Sequence, residues 1–419
     1  MAAGYLEILR AKHAARLLTG TLVGRLPNAT AAIAIVLFVR AEGGSYSLAG
    51  GLAAAYGVAN AVGQPVLGRL VDLHGQPRVQ LPAAVLSALA MAGFALTALD
   101  PLPLAYVAVV LSGLFTPPLE GGLRALWPSV LRREDQVHTA YAMDAVAQEV
   151  MFTVGPLLLT LGVSVWSAQA AVLVLNLVGV LGALSVVVSA PSRAWRSAPR
   201  EAHWLGALRS PGLLALLGAF LFVGVALGSI TVAAMSYADG HGGDAVYGWL
   251  MAALGLGALL GGTVYGARRW AGAPERRLRV LVGLLAVCYL PLMLMPGAVA
   301  MTGLAAVSGV FLAPAIACAF VIVDRHAPSG TVTEAFSWLV TTFTVGASVG
   351  TGLAGPVVEW GGTVWGFAVP GVAGAVSLLV LVATGRVLAA PARGGVVAAS
   401  SENDPNRAAE PRFSSGDRA

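Results

Sequence analysis

Long apolar stretches alternate with short polar segments along almost the whole chain. A helix that crosses a membrane needs about 20 predominantly apolar residues, within a range of about 17 to 25. By this measure the sequence predicts membrane-spanning helices at residues 16–40, 48–70, 79–99, 103–127, 138–162 and 168–190, and again at 212–236, 247–267, 279–297, 299–323, 333–355 and 364–388. We therefore expect an all-α membrane protein with twelve transmembrane helices.

The predicted helices fall into two sets of six. Residues 16–190 form the first half and residues 212–388 the second, with a polar connector at 191–211 between them. Residues 1–15 are a polar leader that lacks the apolar core and small-residue cleavage site of a signal peptide. The tail at 389–419 is rich in proline, serine, aspartate and arginine, which is typical of disorder.

Composition supports a membrane protein, because 57% of the residues are hydrophobic and only 11% are charged, whereas soluble domains contain about 25% charged residues. A net charge of +5 and a pI near 9.5 are compatible with a nucleic-acid partner. The basic residues, however, lie in short loops between apolar stretches, so we expect a lipid membrane and no nucleic acid. Cys288 and Cys318 lie inside apolar stretches, and we predict neither a metal site nor a cofactor.

The loop charges predict the orientation of the chain. An even number of spans places both termini on one side of the membrane, and lysine and arginine accumulate in cytoplasmic loops. One predicted face carries the basic residues of the leader, the connector and the tail, whereas the opposite face carries only Arg40. We therefore expect a multi-pass protein of the cell's inner (plasma) membrane with both termini cytoplasmic.

Two short motifs recur between the predicted halves. Ser112-Gly113-Leu114-Phe115 with Pro118 in the fourth helix recurs as Ser308-Gly309-Val310-Phe311 with Pro314 in the tenth. Phe152-Thr153-Val154-Gly155 in the fifth helix recurs identically as Phe343-Thr344-Val345-Gly346 in the eleventh. Because both pairs fall at the same six-helix offset, we expect two pseudo-symmetric halves. Transporters built from such repeats bind their substrate between the halves at mid-bilayer.

A charged loop lies between the second and third predicted helices. In the stretch 68–78, Gly68 permits close helix approach, Asp72 can accept hydrogen bonds from a helix N-terminus or pair with an arginine, and Gly75 can adopt a positive φ. With Arg78, these residues resemble the signature loop of the major facilitator superfamily. The resemblance implies a twelve-helix secondary transporter that works by alternating access.

Gly155-Pro156 in the fifth helix resembles an element of drug/proton antiporters in that superfamily, where it implies a helix bend or gate. The stretches 144–156 and 333–338 are similar to actinobacterial efflux-type members. The resemblance therefore implies efflux, whereas the Gly-Pro pair alone is also explained by a simple bend.

Ionisable side chains at membrane depth are costly unless they are paired or hydrated, so each is a functional candidate. Arg25 and Glu149 lie near the middle of their predicted helices, and we predict that they pair. Glu120 and Arg124 are four residues apart on one helix, which favours a local ion pair. Asp144 lies nearer the cytoplasmic end. All five residues are candidates for proton coupling. Structural pairing explains Arg25 and Glu149 equally well, and it is the preferred explanation for Glu120 and Arg124.

The sequence gives no sign of an enzyme. Residues 346–350 match the serine-hydrolase elbow pattern, but that motif requires a strand-to-helix turn and this stretch lies inside an apolar helix. A phosphate-binding loop is also missing from the sequence, which argues against an ATP-driven pump.

We therefore expect a monomeric secondary active transporter that couples protons to efflux of a small hydrophobic compound. The alternatives are an uptake permease for a polar metabolite and a non-transporting membrane sensor.

Overall fold

The computed structural model describes residues 2–97, 99–131, 133–199, 203–268, 270 and 272–389. Nearly all of the predicted disordered tail lies outside these residues. Within the described ranges the regular elements are all helical, so the predicted all-α class is confirmed.

The described residues of the first part of the chain form nine α-helices. They are α1 (Ala2–Arg10), α2 (Ala14–Ala41), α3 (Tyr46–His74), α4 (Gln76–Leu96), α5 (Leu102–Leu114), α6 (Leu119–Val130), α7 (Glu134–Val165), α8 (Ala168–Val187) and the short α9 (Ala190–Ala194). We call α2–α8 the N-terminal group.

The second part begins with a 3-10 turn at Gly206–Arg209 in the predicted connector. The helices that follow are α10 (Pro211–Asp239), α11 (Asp244–Gly266), α12 (Pro274–Tyr289) with a 3-10 turn at Leu290–Leu294, α13 (Ala298–Gly309), α14 (Leu312–His326), α15 (Val332–Gly361), α16 (Thr363–Ala383) and the short α17 (Gly385–Ala389). We call α10–α16 the C-terminal group.

Ten helical stretches of the described residues are long and apolar enough to cross a membrane. They are α2, α4, α5 with α6, α7, α8, α10, α11, α12 with its 3-10 turn, α13 with α14, and α16. The other two predicted spans correspond to α3 and α15, which are 29 and 30 residues long. Polar side chains and glycines dilute their apolar character, and α3 and α15 pack against each other between the two groups.

Two predicted helices are broken, and the repeated serine-glycine motif lies at both breaks. The predicted helix 103–127 forms α5 and α6, separated by a turn that contains Pro117 and Pro118. Proline has no backbone N–H to continue a helical ladder. The predicted helix 299–323 is likewise divided into α13 and α14 just before Pro314.

The repeated motif makes the same kind of contact in each group. Gly113 of α5 packs on the backbone of α3, where an added Cβ would lie 2.4 Å from the Tyr56 carbonyl oxygen. Gly309 of α13 packs on α11, where an added Cβ would lie 2.0 Å from the Leu254 carbonyl oxygen. Small residues allow such close approach of membrane helices. Equivalent sequence positions thus occupy equivalent packing positions.

Contacts within each group dominate the bundle. Contacts between the groups run through four helix pairs, α3 with α15, α7 with α11, α7 with α14 and α6 with α15. Helices α3, α6 and α7 therefore face α11, α14 and α15 across the middle of the molecule.

Candidate functional site

A cavity of about 580 Å³ lies between the N-terminal and C-terminal groups. Small-molecule sites in proteins typically enclose about 300–1,000 Å³. Helices α2, α3, α6 and α7 line one side of the cavity, and α10, α14 and α15 line the other. We call it the central cavity.

The two sides of the central cavity differ in chemistry. The charged and amide side chains all come from the N-terminal group, and they are Arg25, Asn28, Asn60, Gln64, Glu120 and Gln148. The C-terminal group contributes mainly large apolar side chains, which include Phe220, Ile316, Phe320, Leu339, Val340 and Phe343. Its polar members are Thr344 and Ser348. The cavity therefore has a polar wall and an apolar wall.

Two arginines and two carboxylates form a charge network behind the polar wall. The Arg25 guanidinium lies 2.7 Å from a Glu120 carboxylate oxygen and 3.3 Å from an Asp144 oxygen. Arg124 Nε donates to Asp144 at 2.7 Å, and its Nη2 lies 3.4 Å from Glu120. The Gln148 amide oxygen accepts from both guanidinium groups at 3.3 Å. The network is formally neutral.

Helix spacing explains how the network forms. Glu120 and Arg124 lie one turn apart on α6, and Asp144 and Gln148 lie one turn apart on α7, so each pair faces the same direction. Arg124 and Asp144 are fully buried, and Arg25 is 5% exposed. Glu120, at 14%, is the most exposed of the four ionic side chains. Since isolated buried charges are costly, this mutual pairing offsets part of the cost of burying the four side chains.

Arg25 pairs with Glu120 and Asp144, and the predicted pair of Arg25 with Glu149 stays a prediction. Each helical residue is turned by about 100° from the one before it. Glu149 therefore faces away from the side of α7 that carries Asp144.

A polar strip that sequence inspection missed extends from the network along the cavity. The Asn28 amide oxygen accepts hydrogen bonds from the Tyr56 hydroxyl at 3.2 Å and the Asn60 amide at 3.1 Å. Gln64 donates to the carbonyl of Thr116 at 3.0 Å. The available signal was the rarity of amide side chains within the apolar stretches of α2 and α3.

The signature-loop aspartate caps a helix of the C-terminal group. One Asp72 carboxylate oxygen accepts from the Thr333 amide at 3.1 Å, and the other accepts from the Glu334 amide at 2.9 Å. These amides belong to the first turn of α15, where the helix dipole favours a negative charge. Gly68 allows the helices to meet, since an added Cβ would lie 2.6 Å from the Ser337 hydroxyl.

Other signature-loop residues have different surroundings. Gly75 has a φ of +86° and connects α3 to α4. Arg78 is exposed. The neighbouring Arg69 donates to the carbonyl oxygens of His203 and Trp204 in the connector at 3.3 and 2.7 Å.

We call the end of the bundle formed by the end of α3, the start of α15 and the connector the connector end. The Asp72 cap and the contact between Gly68 and Ser337 lie between this end and the central cavity. A second contact reinforces them, because Gly121 of α6 packs on the Thr333 carbonyl. Packed side chains therefore close the cavity towards the connector end.

The second repeated motif contributes to both sides of the cavity. Phe152 of α7 and Phe343 of α15 occupy the same motif position, and both line the central cavity. Helix α7 continues through Gly155 and Pro156, and Gly155 packs on Thr30 of α2. The predicted bend or gate at this pair stays a prediction.

Comparison with known proteins identifies the fold. The bacterial homologue of the iron transporter ferroportin in an outward-facing state has a TM-score of 0.72 and 15% identity, with 89% of this chain and 99% of that chain covered. The E. coli fucose:proton symporter FucP has a TM-score of 0.68 and 16% identity, covering 88% and 97%. The human organic anion transporter MFSD10 (TETRAN) has a TM-score of 0.65 and 16% identity, covering 88% and 98%.

These structures share the fold of this chain. No curated protein sequence gives a significant match. The sequence model of the Major Facilitator Superfamily matches residues 17–333, which is more than half of the chain. The chain therefore belongs to the Major Facilitator Superfamily.

Proposed function

We propose that the protein is a proton-coupled secondary active transporter that exports a small hydrophobic compound. The observation that carries the proposal is the central cavity, whose polar wall holds a charge network and whose opposite wall is apolar. Alternating access between two six-helix halves exposes this cavity to each side in turn. The matching packing of Gly113 and Gly309 supports the pseudo-symmetry that such a cycle uses.

Glu120 is the carboxylate best placed to exchange protons with the cavity. It lines the cavity and is partly exposed, whereas Asp144 is fully buried and receives hydrogen bonds from both arginines. A proton on Glu120 weakens its pairing with Arg25 and gives the network a net charge of +1. Proton binding thereby changes the charge and the hydrogen bonding of the polar wall, which is where substrate binds.

The apolar wall supports a hydrophobic substrate. Phe220, Phe320 and Phe343 present aromatic rings to the cavity, and burial of apolar surface against them contributes about 25 cal/mol per Å². Compounds of drug size fit the volume of about 580 Å³.

We also propose that the connector end is cytoplasmic. The excess of arginine at this end supports that orientation. Single cysteines at Trp204 and Asp244, both exposed, test it after Cys288 and Cys318 are replaced by alanine. An impermeant thiol reagent added outside intact cells should label the cysteine at 244 and leave the one at 204 unlabelled. Labelling of both from one side would exclude this topology.

Transport by purified protein in liposomes with an imposed pH gradient tests the function. We expect proton-driven movement of members of a panel of hydrophobic cations and neutral drugs. Glu120→Gln mimics the protonated side chain and should reduce proton-driven transport to the level of empty liposomes. Glu359→Gln, an exposed residue near the far end of α15, is the control. Wild-type rates in folded Glu120→Gln protein would exclude Glu120 as the proton carrier, and Glu149→Gln and Asp144→Asn would then be tested.

Uptake of a polar metabolite is the second candidate, and the strip of Asn28, Asn60 and Gln64 favours it. Amide groups of this kind hydrogen-bond to polar substrates in binding sites. The same liposomes loaded with buffer of opposite pH distinguish the two, because symport moves substrate with the proton gradient and antiport moves it against that gradient. Co-migration of proton and a polar solute would favour uptake.

A further inference from the structure

Phe320 of α14 covers the guanidinium group of Arg124 from across the group boundary. The guanidinium carbon lies 3.7 Å from the centroid of the Phe320 ring. Both side chains are almost fully buried, and Phe320 also lines the central cavity. At this distance the ring face attracts the cation, and the attraction is strongest where water is excluded.

Residues of the N-terminal group bind the guanidinium in its plane, and a residue of the C-terminal group packs on its face. Its in-plane hydrogen bonds go to Asp144, Glu120 and Gln148, which all belong to the N-terminal group. Among the described residues its buried Nη1 has no hydrogen-bond acceptor. The Phe320 ring therefore supplies stabilisation that the N-terminal group does not.

An aromatic cluster fixes the position of the ring. Phe320, Phe336 of α15 and Tyr141 of α7 lie with ring centroids 5.9 to 6.1 Å apart. The centroid of the Phe336 ring also lies 5.8 Å from the Arg124 guanidinium carbon. Aromatic pairs in this range of distances stabilise one another beyond the area they bury. The cluster joins the two groups at the floor of the cavity.

The two partners occupy equivalent positions in the repeat. Arg124 lies six residues after Pro118 in the first copy of the serine-glycine motif, and Phe320 lies six residues after Pro314 in the second. If a pseudo-two-fold axis relates the two groups, residues at equivalent positions lie on opposite sides of that axis. Such residues can contact each other in one relative orientation of the groups. Rotation of one group against the other separates them.

We propose that Phe320 is a positioning residue that couples the charge network to the C-terminal group, and that its cation–π contact with Arg124 stabilises the state closed at the connector end. This inference rests on the proposed alternating access, because only then does the closed state have an open counterpart. A purely packing role is the competing explanation, since any large apolar side chain buries the same surface.

Fluorination of the ring separates the two explanations. Each fluorine added to phenylalanine weakens the attraction of the ring face for a cation and changes the size of the side chain little. Phenylalanine with one, two or three ring fluorines is therefore incorporated at position 320. The same series at Phe94, which is buried against Phe38 with centroids 4.9 Å apart, is the matched control.

Spin labels at Ser129 and Ser329, exposed residues of opposite groups at the connector end, report the closed state. Purified protein carries them in a background with Cys288 and Cys318 replaced by alanine. We expect the closed-to-open ratio to fall stepwise with each fluorine at Phe320, by roughly tenfold over the series. The series at the control position should leave it unchanged. Equal effects at both positions, or no trend at Phe320, would overturn the proposal.

Thermal stability keeps the test independent of the transport cycle. One label distance in every variant, with no open population, would count against alternating access itself. In that case a fluorine-dependent fall in Tm at Phe320, without a fall at Phe94, still demonstrates the cation–π contact. Equal Tm values throughout both series would exclude a stabilising cation–π contact as well.

Discussion

Replacement of Asp72 by asparagine tests whether the signature loop closes the connector end. In the structure both carboxylate oxygens accept backbone amides of the first turn of α15, at 3.1 and 2.9 Å. Asparagine keeps one acceptor oxygen, but it turns an NH₂ group towards the second amide and loses the negative charge. The variant therefore loses at least one charge-assisted hydrogen bond and the favourable interaction with the helix dipole.

The magnitude follows from these contacts. A hydrogen bond to a charged group contributes about 1.5–3 kcal/mol, and Asp72 is only 7% exposed, so little of this is screened by water. The bond exists only where α3 meets α15, so its loss acts on the closed state and leaves the open state unchanged. We expect the closed-to-open ratio to fall by roughly 10- to 100-fold.

Spin labels at Ser129 and Ser329 measure this ratio in purified Asp72→Asn protein, and uptake into liposomes measures transport. Transport should fall strongly while expression stays near normal, because each group keeps its own core. Asp239→Asn, an exposed aspartate at the end of α10, is the matched control and should change neither measurement. An unchanged distance distribution in Asp72→Asn protein would refute the argument and make the loop an ordinary connector.

Two further predictions concern the framework and the charge network. Gly309→Ala should destabilise the protein by about 1–3 kcal/mol, because the new methyl group meets a backbone oxygen of α11. The measurement is the Tm in detergent. Gly303→Ala on the same helix is the control and should not lower the Tm, because its Cβ meets open space. Arg124→Leu should lower the free energy of unfolding by about 3–5 kcal/mol, because it removes a cationic partner of buried carboxylates. Adding Asp144→Leu should restore part of the Tm. A double variant no more stable than Arg124→Leu would contradict the pairing.

Span positions were predictable because bilayer thickness fixes the length of an apolar helix. The predicted span 168–190 corresponds to α8 at Ala168–Val187, and 16–40 corresponds to α2 at Ala14–Ala41. The breaks before α6 and α14 were missed, because average hydrophobicity over a window does not register a local turn. The repeated motif with its proline was the signal that marked both breaks.

The partners of buried charges were harder to predict than their depth. A rise of about 1.5 Å per residue fixes how deep a side chain lies, and this depth placed Arg25 among the predicted intramembrane charges. The direction in which a side chain points depends on how each helix is rotated against its neighbours. Gln148 and Glu149 are neighbours in the sequence and lie at almost the same depth, but they point in directions about 100° apart around α7, and Gln148 contacts Arg25. Sequence depth alone could not separate them.

Equivalent positions of the repeated motifs line the two cavity walls and carry different side chains. Glu120 lies two residues after its motif proline, and the equivalent residue of the second copy is Ile316. Gln148 lies four residues before Phe152, and its equivalent before Phe343 is Leu339. All four side chains line the cavity.

Repetition of the backbone and divergence of the side chains have separate consequences. In the proposed alternating-access cycle, two bodies rotate about a common axis, and this rotation requires only the repeated framework. Charge exchange requires a network on one side alone, because a second network on the facing wall would add further desolvation cost at mid-membrane. In the proposed transporter, the apolar wall opposite it excludes water from the charges and binds the hydrophobic surface of the substrate. The contact between Arg124 and Phe320 serves both requirements, because it joins the charge network of the N-terminal group to the apolar side chains of the C-terminal group at equivalent motif positions.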